Sequence, residues 1–247
     1  MNAVVLGATR GAGRALARAL AARGDRLFLL GRDLEELRRS AADCDVRSPG
    51  GAAALGVAGC DLLAPESAAP ALDAAWAACG RVDAVVVTAA LFATQERLES
   101  DRELARRLLE ANFSGTVLFC EEARDRLLAQ GGGKLMVFSS VAGDRGRKPV
   151  VLYGAAKAGL TRYLEGLDHR FHARGLRVVT VKPGFLRTSM TDGLPAPPFT
   201  ADPDEIAPLV LRAIDRGTPV VYVTPVWRWV MLVVRSLPRF VLRRVGF

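Results

Sequence analysis

Tyr153 and Lys157 stand four residues apart in the run Tyr-Gly-Ala-Ala-Lys, thirteen residues after Ser140 and about forty after Asn112. The four side chains supply a phenol, an ammonium, a hydroxyl and an amide. Those are the parts needed to place a proton on a carbonyl oxygen while a cofactor delivers hydride. On a helix, positions four apart share a face, so the Lys157 ammonium can reach the surroundings of the Tyr153 phenol. The spacing alone has little specificity, because any amphipathic helix can show it. Its meaning depends on what lies upstream.

Upstream is a nucleotide-binding opening. Residues 1–6 form a short β-rich run that passes straight into Gly7-Ala8-Thr9-Arg10-Gly11-Ala12-Gly13, and a helical pattern follows from Arg14. Strand, glycine-rich turn and helix in that order make a glycine motif a dinucleotide site. The glycines permit a tight turn and close backbone approach. The helix start offers free N–H groups and a positive dipole end to a pyrophosphate. The spacing here is GxxxGxG rather than GxGxxG.

The second strand ends in Leu29-Leu30-Gly31-Arg32-Asp33. An acid at that strand end commonly selects NAD by binding the ribose 2′-OH. Gly31 occupies that place and Arg32 follows it. A forked guanidinium suits a 2′-phosphate, and Arg10 could reach the same group, so NADP(H) is favoured over NAD(H). Two plainer readings stand beside this one. Arg32 could be a solvated residue with Asp33 capping the next helix, or Asp33 could take the ribose hydroxyl and admit NAD.

The rest of the chain supplies elements to position these groups. Val- and Leu-rich runs predict strands near 2–6, 26–30, 54–59, 82–88, 134–139, 176–182 and 219–223. Helices are expected near 12–23, 33–42, 65–78, 101–130, 151–173 and 203–216. The alternation predicts an α/β chain: a single-domain, doubly wound Rossmann fold with a seven-stranded parallel sheet and helices on both faces. Its expected extent is 1–225, with 226–247 an amphipathic C-terminal extension of the same domain. At 247 residues, half of them hydrophobic, such a domain can bury a full core. The first strand is expected from residue 2, so no secretory leader is expected. Cys44, Cys60, Cys79 and Cys120 are widely spaced and form no CxxC, as expected of reduced thiols in a cytoplasmic protein. His169 and His172 have no other His or Cys nearby in sequence. No metal site is expected there, and a solvated helix end is the simpler reading.

With these landmarks in order, the chain resembles the short-chain dehydrogenase/reductase family over nearly its whole length. The resemblance is carried by Gly7, Gly11 and Gly13, by Asp61 in Cys60-Asp61-Leu62, by Asn112, by Ser140, by Tyr153 and Lys157, and by Pro183-Gly184 with Thr188. One landmark departs. Where the family usually has Asn-Asn-Ala-Gly after strand four, this chain has Val87-Thr88-Ala89-Ala90. That run normally braces the sheet and lines the cofactor. The resemblance implies that Tyr153 is the general acid in reduction, or the base in oxidation. Lys157 would bind the nicotinamide ribose and lower the phenol's pKa. Ser140 would hydrogen-bond the substrate oxygen, and Asn112 would hold a water connecting Lys157 to solvent. Cofactor contacts would come from Gly7, Thr9, Arg10, Gly11, Ala12, Gly13, Arg32, Asp61, Leu62, Ala89, Ala90, Tyr153, Lys157, Pro183, Gly184 and Thr188. Plainer readings make Ser139 and Ser140 strand-end hydroxyls and Asn112 a helix-interior amide. The resemblance also implies a homo-oligomer, dimer or tetramer.

Substrate recognition is read from two further segments. Arg145, Arg147 and Lys148 lie between Ser140 and Tyr153, where they could hold a phosphate or could form a solvated loop. Residues 189–200, with Met190 near the start and three prolines, sit where the family carries a substrate lid. At the C-terminus, residues 216–247 hold six arginines, no lysine and no acid, so most of the net charge of +8 is a property of that segment. Nucleic acid therefore explains the charge poorly. Arg228, Arg235, Arg239 and Arg243 fall in one helical arc of about 80°, although Pro238 is expected to split the segment into two helices. Trp227, Trp229, Met231, Leu232, Val233, Val234 and Phe240 supply apolar bulk, in runs too short to span a bilayer. The segment reads as an interfacial helix on an anionic membrane. The alternative is a helix packed on the core or on another subunit.

More narrowly, Ser139-Ser140-Val141-Ala142-Gly143-Asp144-Arg145, Tyr153-Gly154-Ala155-Ala156-Lys157 and Trp227-Arg228-Trp229-Val230-Met231 resemble the decaprenylphosphoryl-2-keto-pentose reductases of actinobacterial wall synthesis. That resemblance implies reduction of a keto sugar on a polyprenyl phosphate; with the cysteine usage and the C-terminal segment, the expected location is cytoplasmic, peripheral on the inner membrane face. Reduction of a 3-ketosphinganine or a 3-oxoacyl thioester would use the same groups. A cofactor-binding sensor without turnover is a third reading.

Overall fold

The computed structural model describes residues 1–244. Residues 245–247 of the expected extension lie outside the described residues. Seven strands form one parallel sheet: β1 (Asn2–Leu6), β2 (Arg26–Gly31), β3 (Ala54–Gly59), β4 (Ala84–Val87), β5 (Gly133–Phe138), β6 (Leu176–Pro183) and β7 (Val220–Val223). Their order is β3-β2-β1-β4-β5-β6-β7. Alternate residues of each central strand feed two cores. Val4, Leu6, Val85, Val87, Leu135 and Val137 face one side, while Ala3, Val5, Val86, Met136, Phe138 and Val181 face the other. Both faces are apolar because helices cover both, as a parallel sheet requires.

On one face pack α1 (Gly11–Ala22), α2 (Leu34–Arg47) and α8 (Pro203–Arg216); on the other pack α3 (Ala68–Cys79), α6 (Thr116–Ala129) and α7 (Val151–Phe171). Local chemistry sets the starts. The Asp33 carboxylate accepts from the N–H groups of Glu35 and Glu36, both at 3.1 Å, and so begins α2. Asp43 bonds Arg47 at 3.0 Å and Arg18 at 2.6 Å. Those pairs carry α2 beyond the expected residue 42. Glu205 Oε2 accepts from the Asp202 N–H at 3.0 Å at the head of α8.

The helix expected over 101–130 is not one helix. It is α5 (Arg102–Leu109), a π-helical stretch over Glu110–Gly115, and then α6, and it is preceded by an unforeseen short α4 (Gln95–Ser100). The cause is a close approach at Gly115, where an added Cβ would lie 1.9 Å from the Leu62 carbonyl oxygen. The π stretch carries Asn112, and such bulges concentrate at functional sites. The C-terminal segment forms α9 (Val226–Ser236) and α10 (Arg239–Arg244), separated at Pro238 as the sequence implied. Trp227, Met231 and Val234 of α9 are buried against Val141. The inner face of α9 is therefore part of the core. Among the described residues, no helix is long and apolar enough to cross a membrane.

Candidate active site

The sheet order reverses between β1 and β4, and the crevice beyond their carboxyl ends is where such sheets bind ligands. The glycine turn after β1 lies there. Gly7 has φ +96°, and a Cβ on it would meet the Ala89 N and Thr88 Oγ1 at 2.7 Å. A Cβ on Gly13 would come within 2.1 Å of the Gly7 oxygen. Thr88 donates its hydroxyl to the carbonyls of Leu6 and Gly7, at 3.0 and 3.2 Å. The threonine thus braces the turn from the neighbouring strand, in the place where the family's usual asparagine is missing. No side chain caps the N-terminus of α1, leaving its first N–H groups for an anion. A Cβ on Gly11 would reach 3.2 Å from the Thr188 methyl, so the turn and the segment after β6 face each other. A glycine cradle, an uncapped helix start and a facing Thr188 fit a dinucleotide.

The groups expected to be catalytic come together from the end of β5, from α7 and from the π stretch. Ser140 heads a 3-10 turn, Val141–Gly143, with its Oγ accepting from the Ala142 N–H at 3.1 Å. That turn lies directly on α7. A Cβ on Gly143 would come 2.7 Å from the Lys157 carbonyl carbon, and one on Gly154 would come 2.9 Å from the Ala142 oxygen. Two glycines thus let backbone meet backbone and bring Ser140 to Tyr153. Ser139 is used differently: its hydroxyl donates to the Lys157 carbonyl at 3.0 Å and pairs with Thr161 Oγ1 at 2.7 Å.

Lys157 is 2% exposed. Its Nζ donates to the Phe138 carbonyl at 2.9 Å and lies 5.9 Å from the centre of the Tyr153 ring. Burial lowers the ammonium's pKa to about 8. Burial pushes the Tyr153 phenol up to about 12, against the opposing hydrogen bond with Ser140. Desolvation, rather than the neighbouring ammonium, sets the direction for Tyr153. Phe92 stands edge-on to the Tyr153 ring at 5.2 Å and 82°. Asn112 is fully buried, and its amide accepts from the Leu91 N–H at 2.7 Å and donates to the Leu91 carbonyl at 2.6 Å. It ties the segment after β4 to the helix that precedes α6.

The family model for the short chain dehydrogenases matches residues 1–197. This chain belongs to the short-chain dehydrogenase/reductase family. It is 36% identical over 248 residues to an uncharacterized oxidoreductase of Streptomyces coelicolor, covering 98% of this chain and 94% of that one. It is 35% identical over 192 residues to carbonyl reductase family member 4 of Danio rerio, covering 78% of each. Among solved structures, the actinorhodin polyketide ketoreductase with NADPH is similar in fold, with a TM-score of 0.79 at 24% identity, covering 90% of this chain and 95% of that one. As a family member the chain is an NAD(P)-dependent oxidoreductase.

The family landmarks Gly7, Gly11, Gly13, Ala89, Asn112, Ser140, Tyr153, Lys157 and Thr188 all lie at the carboxyl ends of the central strands or on the elements that follow them. Other expected contacts have visible local duties. Asp61 Oδ1 accepts from the Leu63 N–H at 3.0 Å, capping the turn after β3. Leu62 is buried under Gly115. Asp33 is spent on capping α2, while Arg32 is exposed and makes no ion pair among the described residues. Arg145 Nη2 donates to the Leu237 carbonyl at 2.9 Å, and Lys148 Nζ to the Arg243 carbonyl at 2.6 Å. Those two basic side chains bind the ends of α9 and α10. Met190 is exposed at 43%. The segment 189–200 is fastened at its base by a bridge between Leu186 and Ala201.

Two contacts have no local signal in the sequence: the Thr88 brace and the approach of Trp227 to Gly184. A Cβ on Gly184 would fall 1.9 Å from the Trp227 indole nitrogen. The same indole lies 3.4 Å from the Phe199 carbonyl, and the two rings meet at 84°. The first residue of α9 to be buried thus also holds the end of the 189–200 segment.

Proposed function

We propose that this protein reduces the ketone of a hydrophobic or lipid-linked substrate with NADPH. The observation that carries the reading is the convergence of Ser140, Tyr153 and Lys157 at the carboxyl end of β5, the same end of the sheet as the glycine turn. Similarity to a carbonyl reductase supports reduction of a carbonyl. When bound, the nicotinamide supplies hydride. Gly7, Thr9, Arg10, Gly11, Ala12, Gly13, Arg32, Asp61, Leu62, Ala89, Ala90, Pro183, Gly184 and Thr188 would hold the dinucleotide, with Lys157 at its ribose. Tyr153, protonated at neutral pH, donates its phenolic proton to the substrate oxygen. Ser140 donates a hydrogen bond to the same oxygen and stabilises the charge that develops there. Asn112 keeps one amide hydrogen and one lone pair beyond its bonds to Leu91, enough to hold a water on the path to Lys157. A sensor without turnover would need none of these groups in this register.

The preference for NADPH rests on Arg32. With Asp33 engaged as a cap, the free cation at the end of β2 favours a 2′-phosphate. Arg32→Ala is expected to raise the KM for NADPH about tenfold and leave that for NADH within about twofold. Steady-state kinetics with both cofactors decide this, and an unchanged KM for NADPH would remove the assignment.

The substrate class rests on the outer face of the C-terminal helices. Trp229, Leu232, Val233 and Phe240 are exposed at 64, 48, 61 and 61%. Arg228, Arg235, Arg239 and Arg243 stand among them, also exposed. With the inner face of α9 packed on the core, this outer face suits an anionic membrane surface and a lipid-borne ketone such as a polyprenyl-phosphate keto sugar. The protein would then be cytoplasmic and peripheral on the inner membrane face, working as a dimer or tetramer. Sphingoid or acyl-thioester ketones are the second choice on the same groups. Trp229→Ser with Leu232→Ser should lower co-sedimentation with phosphatidylglycerol-containing vesicles at least about tenfold. Sedimentation equal to that of the parent protein would end the membrane reading.

A further inference from the structure

We propose that Asp144, Lys182 and Tyr222 form a positioning device for Ser140, fastening the turn that carries it to the last two strands of the sheet. The inference rests on the assignment of Ser140 as the group that meets the substrate oxygen. Ser140 and Asp144 are the two ends of one turn: Ser140 caps its start, and the Asp144 N–H closes it by donating to the Val141 carbonyl at 3.1 Å. Both oxygens of the Asp144 carboxylate are taken. Oδ1 accepts from Lys182 Nζ at 2.5 Å, and Oδ2 accepts from the Tyr222 hydroxyl at 2.7 Å.

The two donors come from different strands. Lys182 lies on β6 directly before Pro183-Gly184, and Tyr222 lies on β7. The Lys182 and Asp144 side chains are only 5% and 3% exposed. The Lys182 ammonium also lies 5.5 Å from the centre of the Tyr222 ring. Burial, with help from Asp144, pushes the Tyr222 phenol up to about 12, so it stays a donor at neutral pH. Two donors from two directions fix the carboxylate in place and in orientation.

The turn has a wall on each side. On one, Gly143 and Gly154 let it lie backbone-to-backbone on α7. On the other, Val141 packs under Trp227, Met231 and Val234 of α9. The carboxylate anchors the remaining direction, toward β6 and β7. A buried ion pair is not needed for stability alone, because well-packed apolar residues of similar size commonly serve as well or better. What it adds here is a directional hold, at the far end of the turn from the Ser140 hydroxyl. A reacting group must be kept within a fraction of an ångström of its working position, and the groups around it do that.

The test uses the full-length protein and NADPH oxidation with whichever of ethyl acetoacetate, cyclohexanone and a long-chain methyl ketone it turns over fastest. Asp144→Leu with Lys182→Met removes both buried charges together, so neither is left unpaired. This double variant should melt no lower than the parent and lose at least about tenfold in kcat, with KM for NADPH changed less than about twofold. Lys182→Arg keeps the pair and should hold kcat within about threefold of the parent. A double variant as fast as the parent, alongside a slow Ser140→Ala, would overturn the positioning role. So would a loss of kcat matched by equal losses in melting temperature and NADPH affinity, which is what a general structural role produces. Ser140→Ala as fast as the parent would instead strike the assignment of Ser140, a separate failure.

Discussion

Tyr153→Phe is expected to lower kcat by about a thousandfold while leaving the Kd for NADPH within about twofold. The phenol is hydrogen-bonded with the Ser140 hydroxyl, while Lys157 is turned to the Phe138 carbonyl at 2.9 Å. Phenylalanine keeps the ring and its edge-on contact with Phe92 at 5.2 Å, so this packing survives. Ser140 remains, which leaves the substrate oxygen one hydrogen bond but no acid. Fluorescence titration with NADPH and steady-state turnover separate the two quantities. A variant that turns over like the parent would place the proton source elsewhere. A variant that loses turnover and NADPH binding equally would make Tyr153 a binding residue.

The second large effect is expected at Lys157, where function and stability should part. Its pKa falls from 10.5 to about 8 because the ammonium is buried, which corresponds to about 3 kcal/mol held against folding at neutral pH. Lys157→Met removes that burden. It also forfeits the hydrogen bond to Phe138, so a net gain of about 2 kcal/mol in the cofactor-free protein is expected at pH 7. Turnover should fall at least about a hundredfold. The sign fixes the pH dependence. Between about pH 8 and pH 10.5 the unfolded lysine still holds its proton and the folded one does not, so this group's unfavourable contribution fades as pH rises. The stability difference between variant and parent should therefore be largest below pH 8 and shrink above it. Comparing the two proteins cancels the buried cysteines, whose raised pKa values act in the same range with opposite sign. Denaturant melts at pH 7 and pH 9.5 measure the difference. A gap that widened with pH would contradict the assignment of burial as the cause.

Much of this was legible in the sequence because parallel strands buried on both faces are written as continuous Val and Leu runs. All seven strands lie within about two residues of their expected positions, the usual uncertainty of element ends. The glycine turn and the Tyr153–Lys157 helix were legible because local spacing defines them. What escaped is long-range. The split of the helix expected over 101–130 depends on the contact of Gly115 with Leu62, which no local pattern records. Asp144 meets Lys182 and Tyr222 across separations of 38 and 78 residues. The C-terminal helix is apolar on more than one side, so periodicity could not say which side the core takes. Trp227, Met231 and Val234 face inward and leave Trp229 and Leu232 outside. Arg145 and Lys148 were read with the catalytic groups because they are near in sequence. Their cations donate instead to carbonyls at the ends of α9 and α10.

On this proposal the site of Ser140, Tyr153 and Lys157 reduces a ketone with hydride from NADPH. Incubation of the protein with NADPH deuterated at the reactive nicotinamide carbon and a ketone, followed by mass spectrometry of the alcohol, tests it most directly. One deuterium per alcohol on the former carbonyl carbon, absent with Tyr153→Phe, is the predicted result. Alcohol without deuterium, or no alcohol from any ketone tried while NADPH binds, would contradict it.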